Sequence, residues 1–387
     1  MKTLAIIGAS YLQRPLVEKA RELGLRTICF SWVDGAVCRD LCDVFYPISI
    51  TEKEQILDIC RREQIDGVCT IASDVAAPTV AYVAEQMGLR GNSYEAAVRA
   101  NNKYQMRRAF KKAGVPCPLF TCVTEDVSRQ PSAVSQTIAE KLKKEGFRMP
   151  LIVKPSDRSG SLGVQKVVDW FQLDAAIARA QEVSFRGEAM VEEYIEGREI
   201  SVEFISYMAT HYPLQITDKV TTEAPYFVEL AHHQPADLTP EQYDEIYAIT
   251  ANALDALGIM NGASHAEYKI TKDGRIAVME IGGRMGGDFI GSDLVWLSTG
   301  YDFLRGVIDV ALDQFRPPIK AREQMYAGVY FLTADTQRVK YYIDHADEYP
   351  EIVMAEQTDE ELRHVQYSAQ RSGYVIYQKR DGRFMID

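Results

Sequence analysis

No stretch of this chain approaches the ~20 apolar residues that a bilayer-spanning helix requires, so no membrane partner is expected. The N-terminus, MKTLAIIGAS, has a short apolar run without a long apolar core or a cleavage site, and no secretory leader is expected. Excess positive charge is missing too: 43 Lys and Arg face 55 Asp and Glu, a net charge of −12. That balance argues against nucleic acid as a general partner, though not against a local basic pocket for phosphates. The cysteines form no framework. There are seven, an odd number, and the closest pair, Cys38 and Cys42, has no second pair downstream to complete a zinc site. They read as reduced thiols of a cytoplasmic protein. Repeats and low-complexity segments are absent, and so is a phosphate-binding P-loop.

What is present fits an ordinary globular chain: 387 residues, 47% apolar and 25% charged, enough for two or three domains. Residues 3–7 form an apolar run ending at Gly8-Ala9-Ser10, a helical pattern follows to Gly24, and a second run covers 27–30. That order is a βαβ unit, so residues 1–100 are expected to form a doubly wound parallel-sheet domain. The Gly8 turn also admits a nicotinamide-binding reading with Asp34 on the ribose. The turn has one glycine where that fingerprint wants three, which weakens the reading. A basic helix is expected over 101–113 and strands around 151–154, 164–168, 189–194 and 200–206, with Pro317-Pro318 as a boundary and a small α+β lobe after it. The expected class is therefore α/β and α+β.

Three segments carry chemistry. In HAEYKITKDGRIAVMEIGGRMGG (265–287), Asp273-Gly274 is a strong hairpin signal. If those two residues are the turn, Lys272 pairs with Arg275 and Glu267 falls opposite Glu280. Like charges across a ladder repel, and a divalent cation between them removes the penalty. The alternative is one glutamate exposed at the sheet rim. In LIVKPSDRSGSLGVQKV (151–167), a strand delivers Lys154 to a loop with Ser159, Gly160, Ser161 and Gly163. That arrangement suits a phosphate-covering flap or an ordinary surface hairpin. In AMVEEYIEGREISVE (189–203), Glu193-Tyr194-Ile195 and Glu199 could meet adenine and ribose, or simply form an acidic strand pair.

Taken in order, Lys103, Lys154 with its Ser/Gly loop, EEYIEG, Glu267, Glu280 and Arg284 resemble the ATP-grasp superfamily, with biotin carboxylase, the carbamoyl phosphate synthase large chain and the L-amino-acid ligases as the nearest likenesses. The resemblance implies an ATP-grasp domain over 101–317 with a flap lobe at about 115–195, and a C-terminal lobe over 318–387. It implies ATP and magnesium as cofactors, with manganese as a substitute. Lys103 and Lys154 would bind phosphates, Ser161 and Gly163 would belong to the flap, and Glu192, Glu193 and Ile195 would flank adenine, with Glu199 on ribose. Glu267 and Glu280 would hold the metal and Arg284 would stabilise the transferring phosphoryl group. Many relatives carry Asn two residues after the second metal glutamate, where this chain has Gly282, so Asp288 is a candidate to compensate. His232 and His233 are expected on a loop near the acyl acceptor, and Gly286 and Gly287 in a substrate loop. The implied reaction joins a small carboxylate to an amine with release of ADP and phosphate. Bicarbonate or carbamoyl-phosphate chemistry, and an ATP-binding regulator without turnover, are the alternatives. A homodimer is compatible with this reading.

Overall fold

Four strands near the N-terminus are too apolar for one face to be wet. β1 (Thr3–Ile7), β2 (Arg26–Phe30), β3 (Val44–Tyr46) and β4 (Gly67–Cys69) form a parallel sheet in the order β3-β2-β1-β4. Along β1, Leu4 and Ile6 turn to a core with the helices Arg14–Glu22 and Phe303–Ala311. Ala5 and Ile7 turn to the opposite core, under the helices Lys53–Glu63 and Ala77–Met87. Burial on both faces is what a doubly wound sheet demands. The structure, a computed structural model, describes residues 1–124, 131–158, 162–222, 226–319 and 323–386, the side chains of 131–137 excepted. Among the described residues no helix is long and apolar enough to cross a membrane.

Two antiparallel sheets follow. β5 (Phe120–Val123), β6 (Leu151–Pro155), β7 (Gln165–Val167) and β8 (Ala189–Glu193) form one, in the order β5-β8-β6-β7. Leu151, Val153, Ala189 and Val191 bury one face under the helices Pro131–Lys144 and Leu173–Val183. Lys154 and Glu192, at alternate positions, turn to the other face.

The third sheet has eight strands: β9 (Arg198–Tyr207), β10 (Thr210–Thr221), β11 (Glu229–Gln234), β12 (Gly262–Ile270), β13 (Ile276–Gly282), β14 (Tyr326–Leu332), β15 (Ile352–Gln357) and β16 (Gly373–Lys379). Their order is β13-β12-β9-β10-β11-β14-β16-β15. The strands β14, β16 and β15, from the segment expected as a C-terminal lobe, thus continue the central sheet. Period-two alternation sorts the two faces of this sheet. Ile200, Val202 and Phe204 of β9 and Ala266, Tyr268 and Ile270 of β12 pack beneath the helices Lys103–Ala113 and Pro240–Leu257. Their alternates, Ser201, Glu203, His265, Glu267 and Lys269, share the opposite, polar face.

Candidate active site

The hairpin carrying the two glutamates reaches the expected juxtaposition by a different route. Thr271, not Lys272, pairs with Arg275, through the Thr271 N–H to the Arg275 carbonyl at 2.9 Å. The loop is therefore Lys272-Asp273-Gly274, with Gly274 at φ 87°, and the register runs Ile270 to Ile276, Lys269 to Ala277 and Tyr268 to Val278. A bulge at Met279 then adds one residue, and Glu267 comes to face Glu280 after all. The bulge has its own partner: the Met279 carbonyl accepts from Arg107 Nη2 at 2.6 Å.

Like charge across the ladder is already neutralised by lysine. Lys103 Nζ donates to Glu280 Oε1 at 2.7 Å, and Lys219 Nζ to Glu267 Oε1 at 2.7 Å. Lys219 also lies 3.3 Å from Glu229. Lys219, facing first of all, holds Glu267 well below the usual carboxylate range, against the effect of burial. Burial disfavours the Lys219 charge, but Glu267 and Glu229 outweigh it and raise its pKa. Behind Glu267 stands His265, 3.5 Å away, whose Nδ1 bonds the fully buried Glu203. Burial pulls the His265 pKa down, yet Glu203 lifts it to about 9. The second oxygen of Glu203 accepts the Gly286 N–H at 3.0 Å. A Cβ on Gly286 would lie 2.8 Å from both Glu203 and His265, so only glycine fits that place.

Lys154 is held by a buried carboxylate. Glu192 bonds Arg107 Nε at 2.7 Å and pairs with Lys154, and all three are buried. The Glu192 side chain, expected beside an adenine, is engaged by Arg107 and Lys154. Burial lowers the Lys154 pKa, with Glu192 opposing. Lys103 also donates to the Arg158 carbonyl at 2.9 Å, tying its helix to the segment that follows β6. Glu193 is held outward by Arg275, at 2.7 and 3.1 Å. Tyr194 lies beneath Lys166, 3.8 Å from its ring, Ile195 is buried, and Glu199 pairs with Lys269 at 3.0 Å. Gly163 is at φ 75° with Val183 2.5 Å from where a Cβ would stand. Ser159, Gly160 and Ser161 lie outside the described residues.

Arg284 is anchored from the N-terminal domain. It grips Asp74 through two bonds of 2.8 Å, and this pair also explains Gly282, because a Cβ there would stand 2.7 Å from Asp74 Oδ1 and 3.1 Å from Arg284 Nε. The space an asparagine would need is filled by that ion pair. Asp288 is not the compensating ligand: both its oxygens are taken by Arg371, at 3.0 and 2.7 Å.

His232 and His233 are buried on the strand β11, not exposed on a loop. Alternation sends them to opposite faces. His233 sits among Tyr330 and Tyr377 and bonds the Tyr377 hydroxyl at 3.0 Å. His232, opposite Lys219 in the ladder, has neither ring nitrogen hydrogen-bonded, and burial drives its pKa well below the ordinary value. The Gly8 turn is filled by Gln13, whose Oε1 would lie 2.8 Å from a Cβ on Gly8 and bonds Ser10 N at 3.1 Å. A pyrophosphate has no such approach there.

Residues 147–293 match the ATP-grasp domain family. That segment is similar to an ATP-grasp domain. The chain is 27% identical over 256 residues to the alanine–anticapsin ligase of Bacillus subtilis, covering 60% of this chain and 51% of that protein. It is 30% identical over 220 residues to the D-alanine–D-alanine ligase of Streptomyces griseus, covering 54% of each. The chain thus spans about half the length of the curated relatives it matches. Its fold matches that of the L-amino acid ligase of Bacillus licheniformis with a TM-score of 0.78 at 24% identity, over 98% of this chain and 94% of that one. The relatives named are ligases. The match covers Lys154, Glu192, Glu267, Glu280 and Arg284, while Lys103 lies before it and Arg371 after it.

The donor set fits the cofactors of an ATP-grasp domain. Glu267 and Glu280 offer two opposed carboxylates, the number magnesium takes when phosphates supply further ligands. Among the described residues no cluster of three or more acidic, His or Cys side chains forms a self-sufficient metal cage. Sequence reasoning missed Lys219, Glu203, His265, Asp74 and Arg371. The alternation ISVE on β9 with HAEYK on β12 was the available signal for Glu203 and His265; Lys219, Asp74 and Arg371 enter through contacts remote in sequence.

Proposed function

We propose that the protein is an ATP- and magnesium-dependent carboxylate–amine ligase acting on an amino acid or another small acid. The acid's carboxylate attacks the γ-phosphorus of ATP, the bridging P–O bond breaks and ADP leaves. An amine then attacks the acyl carbon, phosphate departs with the amine's proton, and a C–N bond remains. The protein's share in such a transfer is positioning and charge stabilisation. Lys103 and Lys154 bind the phosphates. Glu267 and Glu280 would hold magnesium, which when bound neutralises phosphate oxygens. Arg284, fixed by Asp74, faces the charge that develops on the transferring group. The Glu203–His265 pair orients Glu267 on one side and the Gly286 backbone on the other. His232 and Gly287 border the acid.

The observation that carries this reading is the polar face of the eight-stranded sheet. There Lys219, His265, Glu267 and Glu280 stand in neighbouring register, with Lys103 bonded to Glu280. A phosphate-release screen over amino acids, singly and in pairs, with ATP and magnesium tests it. ADP and phosphate should appear only when a suitable acid is present. Nucleotide binding without turnover on any pair would move the protein to the ATP-binding regulators.

A further inference from the structure

Beside the Gly286-Gly287 loop lies a cavity of ≈ 320 Å³, within the size range of small-molecule sites. Its wall joins the N-terminal domain to the end of the chain: Tyr11 and Leu12 from the first turn, Phe289 from the loop, and Phe331 and Tyr374 from β14 and β16. Phe289 and Tyr374 pack with ring centroids 4.4 Å apart. Three lining residues, Ala72, Asp288 and Phe289, adopt left-handed backbone angles of φ 54°, 50° and 65° without being glycine. Eight described non-glycine residues have positive φ, and three of them border this one cavity. Strain of that kind persists where the surroundings enforce it, and it gathers at ligand clamps.

The charges inside cancel. Asp288 and Arg371 bond through both oxygens, and the Arg371 guanidinium lies 3.7 Å from the Phe331 ring centroid. A charged ligand group entering here would lose its water and find each opposite charge already engaged. Large uncharged groups meet aromatic walls instead. The cavity begins two residues beyond Arg284, where the acid's carboxylate must stand if the ligase reading holds.

We infer that this cavity is the side-chain pocket for the activated acid, and that it selects an amino acid with a bulky, uncharged side chain, aromatic or branched aliphatic. The inference rests on the proposed ligase activity. Filling or leaving empty a hydrophobic pocket changes kcat/KM by about 10-fold or more.

Hydroxylamine, used as the amine, converts any acyl phosphate to a hydroxamate and so reports activation of the acid alone. With the full chain, phenylalanine and leucine should exceed glycine, alanine, glutamate and lysine by at least about 10-fold in kcat/KM. Leu12 lines the cavity, and a Cβ on Gly287 would lie 3.8 Å from it. Leu12→Trp should therefore shift preference toward alanine, and Leu12→Ala should retain the preference for large acids. Preference of the unaltered protein for small or charged acids would overturn the proposal, as would equal effects of both variants on every acid. Calorimetric titration of phenylalanine and alanine, with a non-hydrolysable ATP analogue present, separates the two readings. Leu12-dependent binding of phenylalanine without hydroxamate from any acid keeps the pocket and removes the ligase. Absence of both binding and hydroxamate removes the pocket.

Discussion

Lys103 and Lys219 change what removal of either carboxylate proposed to hold the metal does. A bare like-charged pair would be relieved by losing one member, but here each glutamate already has a lysine. Glu280→Gln should therefore abolish magnesium-dependent turnover and give no gain in metal-free stability, with a loss of at most about 1 kcal/mol, as for partly exposed ion pairs. Phosphate release across a magnesium series and thermal melts in chelator check both halves, and near-normal turnover at limiting magnesium would remove the metal assignment. A double variant separates the contact of Arg284 with Asp74 from its proposed catalytic role. Arg284→Ala should lower kcat by about 10²-fold with little change in nucleotide Kd, as expected of a group acting on transition-state charge. It also leaves Asp74 without its partner, at a stability cost of about 3 kcal/mol if the pair behaves as buried pairs do. Adding Asp74→Ala should restore much of the melting temperature and none of the turnover. Recovery of turnover in the double variant would show Arg284 to be a structural residue alone.

The hairpin of β12 and β13 shows how much an element reveals before it is folded. Asp273-Gly274 marked the turn and the facing of Glu267 and Glu280 was legible, but the loop is one residue longer than the two-residue reading and the bulge at Met279 restores the lost residue. The bulge was not legible because its partner, Arg107, comes from a helix 172 residues away in sequence. The order of lysines, glycines and glutamates was readable because each motif is local. The Asp74–Arg284 and Asp288–Arg371 pairs were not, since each joins segments whose meeting depends on the whole sheet order. Gly282 belongs to the same lesson: it looked like a missing ligand, and it lies where a Cβ would press on the ends of the Asp74 and Arg284 side chains. Gly282→Asn should consequently push on Asp74, lower turnover and cost about 1–3 kcal/mol, as overpacked sites do. A normal melt with tighter magnesium binding would contradict this account.

At the scale of the molecule, the eight-stranded sheet makes the last strands part of the central fold, and His233 is one of the seams. It lies on β11, against Tyr330 of β14 and Tyr377 of β16, with its Nδ1 at the Tyr377 hydroxyl. Burial, with Arg383 adding to it, lowers its pKa to about 4. An unfolded histidine titrates near 6.5, so between these values the unfolded chain binds a proton that the folded chain refuses. Stability from this group is therefore complete above about pH 6.5, declines as the pH falls toward 4, and changes no further below that. At 1.36 kcal/mol per unit the full loss is about 3 kcal/mol. Because β11, β14 and β16 are hydrogen-bonded neighbours, the loss should appear in the unfolding of the central sheet and the C-terminal strands together. Other groups titrate in the same window, so the quantity to read is the difference between the protein and His233→Gln, in urea denaturation at several pH values from 7 to 4. The stability of the protein relative to the variant should fall by about 3 kcal/mol as the pH goes from 7 to 4, whatever their separation at pH 7. Parallel curves would show that His233 is not the buried neutral imidazole its surroundings require, and a separate early transition for the C-terminal strands would break the seam itself.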